Sequence, residues 1–277
     1  DAVNPSTIFK EKIRVSNEDA HLIQSAVTAL RVKRGEEVIG YKIGCISKQT
    51  QNKMGFTQPA WGRLWKNELH SNGSILKKIN YANPAMEAEF GIILNRDINP
   101  NSASFKYILE SIETIHPIIE IHNLVYNGEP PYGAELLANN AIHAGVVIGD
   151  PIKEKMLLHI TDLQLIFDNE VIDTWSDKKW PNDMLSELEW LIREQSKIGN
   201  ILKKGDLILT GAYGLPIPID DKEVIEVKSS LFGNVTASFV NIPKDLFFCN
   251  TCLRLYGSQT RIQKGFSPIV PLLQLWC

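Results

Sequence analysis

The sequence predicts an α+β protein whose mostly β core carries its helices on one side. Three observations lead there. Short apolar runs of strand length recur at residues 75–78, 85–94, 115–122, 144–148, 162–167, 170–175, 207–210, 223–227 and 233–239. Apolar residues at helical spacing occur mainly in two segments, 20–34 and 181–196. With 44% hydrophobic residues over 277 positions, the chain can fill one large core, alone or with a smaller appended region. The pattern changes near residue 80 and is lost near 241. The chain therefore divides into an N-terminal α/β region (1–80), a β-rich core (81–240) and an atypical C-terminal tail (241–277).

The first helix opens on Ser16-Asn17-Glu18-Asp19, where a hydroxyl at the cap and an acid three residues later suit the free N–H groups of a first turn; Gly35 ends it. Ala20, Ile23, Val27, Leu30 and Val32 predict that one face of this helix packs on the body. Residues 38–43 read as a short strand carrying Lys42. Residues 52–69 are irregular, aromatic and punctuated by Gly55, Pro59 and Gly62, which predicts a loop region of the kind that covers a site. Asp168-Asn169, between two apolar runs, predicts a hairpin turn. Pro181-Asn182-Asp183 opens the second helix, which puts Leu185, Leu188, Leu191 and Ile192 on one face.

Composition narrows the partners. A net charge of −3, a pI near 6.1 and the lack of any Lys or Arg block argue against a nucleic-acid partner. Apolar stretches are broken by charge or Pro within about a dozen residues, too short to span a bilayer, so no membrane partner is expected. Cys45, Cys249, Cys252 and Cys277 do not make a disulfide framework, and a cytoplasmic location is the default expectation. The sequence starts at Asp1 rather than Met, which is also compatible with a removed leader. Cys249-x-x-Cys252 reads as two ordinary thiols rather than a zinc site: no His follows His159, and only Cys277 adds a thiolate nearby.

Chemistry concentrates in the strand candidates. Glu87 and Glu89 lie one residue apart in an apolar run, so a strand puts both on one face, ~7 Å apart at Cα, with Met86, Ala88, Phe90 and Ile92 on the other. On this segment alone two readings stay open: a solvated edge strand, or a bound divalent cation that offsets two like charges. Glu120, amid aliphatics in the 115–122 run, adds a third carboxylate. Three oxygen ligands with water or substrate suit magnesium or manganese better than zinc. His122 shares the face of Glu120. It can orient a ligand or a water, or be a hydrogen-bonded core histidine. Lys42, between Gly40-Tyr41 and Ile43-Gly44, is either a surface lysine or a desolvated one with a lowered pKa that holds a carboxylate or moves protons.

Together these segments resemble the 2-keto-4-pentenoate hydratase and 4-oxalocrotonate decarboxylase family of the fumarylacetoacetate hydrolase superfamily. The resemblance rests on Ser16–Ala20 leading to Gly35-Glu36-Glu37-Val38-Ile39-Gly40-Tyr41-Lys42-Ile43-Gly44, and on Gln58-Pro59-Ala60-Trp61-Gly62-Arg63-Leu64. It continues in Glu87-Ala88-Glu89, Pro117-Ile118-Ile119-Glu120, Asn140-Ala141 with Ala144-Gly145-Val146-Val147-Ile148-Gly149, and Gly205-Asp206-Leu207-Ile208-Leu209-Thr210-Gly211. It covers roughly residues 14–240. It implies a β core of the fumarylacetoacetate hydrolase type and a Mg²⁺ or Mn²⁺ ion held by Glu87, Glu89 and Glu120. It also implies a lyase acting on a small 2-oxo or 2-hydroxydienoate acid, with Lys42 assisting proton transfer or binding a carboxylate. Gln58 and Arg63 become candidates for substrate contact, with His122 and Tyr213 beside the pocket. Self-association into a homo-oligomer is expected by the same analogy.

The sequence also departs from the family. Asn67 stands where members carry an aspartate that acts with the lysine, and an amide is no general base. The neighbouring Glu68 takes that catalytic role only if the loop shifts. Asn123 replaces another aspartate, His122 an aliphatic residue, and Tyr213 lies in a loop that members build from small and hydroxyl residues. A decarboxylase, a C–C hydrolase or a non-catalytic metal and 2-oxo-acid binder are the alternatives.

Overall fold

A computed structural model describes residues 15–126, 130–152 and 159–241. The elements run α1 (Asn17–Lys33), β1 (Val38–Gly44), α2 (Lys48–Met54), β2 (Ala60–Trp65), β3 (Leu69–Ser71), β4 (Ser74–Lys77), β5 (Pro84–Leu94), α3 (Phe105–Glu110) and β6 (Ile112–Asn123). They continue with α4 (Ala134–Ala138), β7 (His143–Ile148), β8 (His159–Phe167), β9 (Glu170–Trp180), α5 (Leu188–Lys197), β10 (Leu207–Leu209), β11 (Ile217–Pro218), β12 (Val224–Ser229) and β13 (Gly233–Val240). The expected α+β architecture is present. Among the described residues an eight-stranded sheet, ordered β2-β1-β10-β5-β6-β7-β3 with β11 also paired to β5, curls into a half-barrel. A second sheet of five strands is ordered β4-β13-β12-β8-β9.

The alternation along β5 is what joins these layers. Met86, Ala88, Phe90 and Ile92 point into one large apolar cluster that includes Leu163, Leu165 and Phe167 of β8 and Val235, Ala237 and Phe239 of β13. Aromatic edges tighten it, with Phe232 packed at 4.9 Å from Phe90 and 5.4 Å from Trp180 between ring centroids. The opposite face of the large sheet holds a smaller cluster of Leu64, Ile118, Val146, Leu207 and Leu209. Strand β5 is therefore central and covered on both faces, and the solvated-edge reading of Glu87 and Glu89 is overturned: both are buried.

Strands from the first eighty residues enter both sheets, β1–β3 the larger and β4 the smaller, beside strands from the 81–240 segment. The tail, with Cys249, Cys252 and Cys277, lies outside the described residues. No helix among the described residues is long and apolar enough to cross a membrane.

Three local expectations are corrected. Within the expected loop 52–69, residues Ala60–Trp65 form β2, wholly buried and antiparallel to β1. A strand covered on both faces shows no period of two, so its pattern looked irregular. The second helix starts at Leu188 rather than at Pro181. Helix α1 does start behind the Ser16 cap, whose hydroxyl accepts from the Asp19 N–H. Of its expected apolar face only Ala20 is buried; Ile23, Val27, Leu30 and Val32 are exposed, Leu30 at 62%. The face it turns inward carries Ala20 and the buried Gln24. The Gln24 amide donates to the carbonyls of Trp61 and Leu137, both at 3.3 Å, and accepts from Arg63 Nη1 at 2.8 Å. Three hydrogen bonds to buried partners fix the rotation of the helix more firmly than its weak apolar stripe.

Gly40 shows how closely the sheet is built. It adopts φ 151°, and a Cβ there would run into the Leu207 backbone of the parallel neighbour β10. Gly40→Ala should therefore force β1 off β10 and lower stability by about 2–3 kcal/mol. Urea unfolding checks this, and an unchanged midpoint would contradict the close approach.

Candidate metal centre

Register places the acidic side chains. In the antiparallel pair β5–β6, Glu87 lies directly opposite Glu120 and Ala85 opposite His122; Glu89 follows Glu87 on the same face. Lys42 reaches this face from β1, and its Nζ lies 2.9 Å from Glu120 Oε1. His143 reaches it from β7. The β6–β7 pairing shifts by one residue between Ile121 and His122, so that His122 opposes His143 instead of Ala144. Such a bulge re-aims a side chain, and here His143 Nδ1 comes within 2.8 Å of Glu120 Oε1.

The result is a closed set of charges. His122 Nε2 is 2.8 Å from Glu87 Oε2 and 3.5 Å from Glu120 Oε2. One donor atom each from Glu87, Glu120 and His122 lie within 4.8 Å of one another, an arrangement that can hold a metal ion. Glu89 accepts from the Gly211 N–H at 3.1 Å through Oε2. Its Oε1 and Glu120 Oε2 are buried without a hydrogen-bond partner among the described residues. Buried carboxylate oxygens rarely stay unpartnered without a reason, and a divalent cation is the partner this donor set fits.

Electrostatics follow from that crowding. Burial alone would raise the Glu120 pKa, but the charges of Lys42 and His122 and the hydrogen bond from His143 hold it well below the usual carboxylate range. Glu89 goes the other way: burial, then Glu120 and Glu87, push it well above that range. Burial works against the charged form of His122, yet Glu120 and Glu87 outweigh it and lift the imidazole to about 9. The lowered pKa expected for a buried Lys42 is corrected. Burial does push it down, but Glu120, Glu87 and Glu89 raise it above the ordinary lysine value, so the amine stays a cation.

A cavity beside the cluster is lined by Lys42, Cys45, Thr50, Met54, Glu87, His122, Leu136, Ala141, Ile142, Ala212, Leu215 and Pro216. Its walls are mostly apolar and its charged groups converge at one end. Burial raises the Cys45 thiol to about 11, which makes it a wall and not a nucleophile. Ala141 and Ile142 of this lining, with Asn140 before them, have unusual backbone geometry, φ of 52°, 54° and 50°. The Asn140 amide holds this turn by pairing with the Arg63 backbone in both directions, at 2.8 and 3.0 Å.

Of the residues singled out in the sequence, Lys42, Glu87, Glu89, Glu120 and His122 come together. Tyr213 is half-buried between Ala212 and Gly214, which line the cavity, and packs under Lys178 Nζ at 4.2 Å. Its hydroxyl pKa is raised by burial and by Asp183 and Glu89. Gln58 is exposed and does not line the cavity. Arg63 is buried against Trp61 and Gln24, again away from the lining. Glu68 pairs with Arg31 at 2.6 Å and lines a different pocket with Asn67, His70, Tyr81 and His143. Asn67 bonds to Glu36. His143, between the Asn140-Ala141 and Ala144–Gly149 segments, carries no signal in the sequence, because only the register shift at Ile121/His122 brings it to Glu120.

No family model matches the sequence. The chain is 28% identical over 224 residues to a 2-keto-4-pentenoate hydratase of Paraburkholderia xenovorans (strain LB400), covering 80% of this chain and 83% of the relative. It is 24% identical over 234 residues to a 2-oxo-hept-4-ene-1,7-dioate hydratase of Escherichia coli, covering 82% and 88%. In fold it is similar to 4-oxalocrotonate decarboxylase from Pseudomonas putida G7, solved with magnesium and adipate: TM-score 0.77 at 19% identity, covering 86% and 91% of the two chains.

The raised imidazole pKa has a measurable sign. A group whose folded pKa lies above its unfolded value stabilises the fold fully below the unfolded pKa, about 6.5 for His. That contribution is lost as pH rises through about 9. With divalent ions chelated, the urea midpoints of the native protein and of His122→Leu should therefore converge between about pH 7 and 10. A constant gap would mean that His122 is neutral throughout.

Proposed function

As this chain belongs to the fumarylacetoacetate hydrolase superfamily, among its 2-keto-4-pentenoate hydratase-like members, we propose that it is a metal-dependent lyase of the hydratase type. Its substrate is a small 2-oxo or 2-hydroxydienoate acid. The observation that carries the reading is the buried set of Glu87, Glu89, Glu120 and His122 beside Lys42, at the charged end of an otherwise apolar cavity. Glu87, Glu89 and Glu120 are the proposed holders of a divalent ion, Mg²⁺ or Mn²⁺. When bound, such an ion supplies Lewis acidity toward the oxygens of a 2-oxo acid and favours its enolate.

The remaining roles belong to the chain. Lys42 is a fixed cation at the cavity floor, suited to hold a substrate carboxylate or to donate a proton from Nζ, and unsuited to act as a base. Cys45, Met54, Leu136, Ile142 and Leu215 give the hydrocarbon end of the acid an apolar wall and limit water to the charged end. Glu68 has no role here, since Arg31 holds it elsewhere. A decarboxylase or C–C hydrolase of the same superfamily would use the same floor with a different far end. A second reading, a metal and 2-oxo-acid binder without turnover, is favoured by Asn67 and Glu68 both facing away from the cavity.

The test is incubation of the purified protein and Mg²⁺ or Mn²⁺ with 2-hydroxypenta-2,4-dienoate, following loss of diene absorbance. Metal-dependent loss is expected, reduced at least about 100-fold in Glu89→Gln. Metal-dependent binding of oxalate with no diene loss would favour the binder.

A further inference from the structure

Within the centre, His122 stands apart from the carboxylates. Its ring is fully buried, and it is steered from the Nε2 side alone, by Glu87 Oε2 at 2.8 Å and Glu120 Oε2 at 3.5 Å; Nδ1 has no hydrogen-bond partner among the described residues. Glu120 is held so as to present one oxygen. Its Oε1 takes both Lys42 Nζ and His143 Nδ1, which leaves Oε2, unpartnered and buried, turned toward the imidazole. Glu89 Oε1 is likewise unpartnered. Nitrogen and oxygen donors thus converge on one point, with the bulge at Ile121–His122 placing both histidines around Glu120.

We infer that His122 is itself a ligand through Nε2, making a mixed nitrogen–oxygen centre that selects a first-row transition ion over magnesium. The inference rests on the proposed metal-dependent function and refines the nature of its ion. Magnesium takes oxygen donors almost exclusively and gains little from an imidazole, whereas Fe²⁺, Co²⁺ and Zn²⁺ bind imidazole well. Once an ion displaces its Nε2 proton, the imidazole adds a donor without adding negative charge to three crowded carboxylates. His143 acts through Glu120 as a positioning residue: its Nδ1 lies on Oε1, and it is not among the three residues whose donor atoms converge.

The experiment uses the full-length protein stripped of metal and reloaded with Mn²⁺ as a paramagnetic probe. Electron spin-echo spectra should show coupling to a directly bound nitrogen that changes when histidine is labelled with ¹⁵N and persists in His143→Gln. Equilibrium dialysis should show His122→Leu losing Co²⁺ affinity roughly 10-fold or more, with Mg²⁺ affinity changed by less than roughly 3-fold. Should His122→Leu fail to fold, the labelled native protein decides alone. Absence of nitrogen coupling overturns the inference, and metal-dependent diene loss in that same protein would leave the functional reading standing. A protein that takes up no divalent ion overturns both.

Discussion

The structure is organised around one buried carboxylate. Glu120 has no exposure, and a lone charge there would cost several kcal/mol. Lys42 and His143 share its Oε1, while Oε2 faces His122. These partners come from β1, from β6 itself and from β7, so that a strand near the start of the chain meets two from its middle. The charge is tolerable only when all three stand at their places in the sheet, so the pairing order of the half-barrel and the electrostatics of the centre depend on each other. Removing one partner would leave an uncompensated ion, which is far more costly than the pair is favourable.

Burying so much charge requires apolar packing elsewhere. Strand β5 supplies it with alternate residues: Met86, Ala88, Phe90 and Ile92 anchor the large cluster while Glu87 and Glu89 turn to the opposite face. On that opposite face Leu64, Ile118, Val146, Leu207 and Leu209 form a second apolar cluster. Gly91 keeps this packing possible, because a Cβ there would press on Ile118 and Leu207 side chains at 2.9–3.1 Å. Burial raises both carboxyl groups, but Lys42 and His122 pull Glu120 downward while Glu120 and Glu87 push Glu89 further up, which is how neighbouring acids come to play different parts.

Much of this was legible because strands announce themselves locally. The acid pair in the 85–94 run and the single acid in 115–122 were readable as costly, hence informative, charges in apolar strands. What the sequence concealed depends on partners distant along the chain. Strand β2 has no alternation because both its faces are covered, and it looked like a loop until β1 was beside it. Helix α1 turns by the bonds of Gln24 to Trp61, Leu137 and Arg63, none of them within its own segment. The pKa of Lys42 runs opposite to its expected direction because burial is readable from its apolar neighbours, whereas the three carboxylates that outweigh it come from β5 and β6. His143 depends on a bulge, a one-residue irregularity with no sequence signal of its own here.

That direct opposition of Glu87 and Glu120 also bears on how the sheet assembles. In an antiparallel pair a slip of one residue turns every side chain to the other face. Strand β6 slipped by one against β5 would carry Glu120 and His122 into the layer that Phe90 and Ile92 occupy, and no set of convergent donors would remain on either side. An ion taken up by the centre thus recognises a single alignment of the two longest paired strands of the half-barrel. By mass action an ion held there would favour that alignment over its competitors during folding, so that a cation at this centre would act as a proofreader of β-sheet assembly.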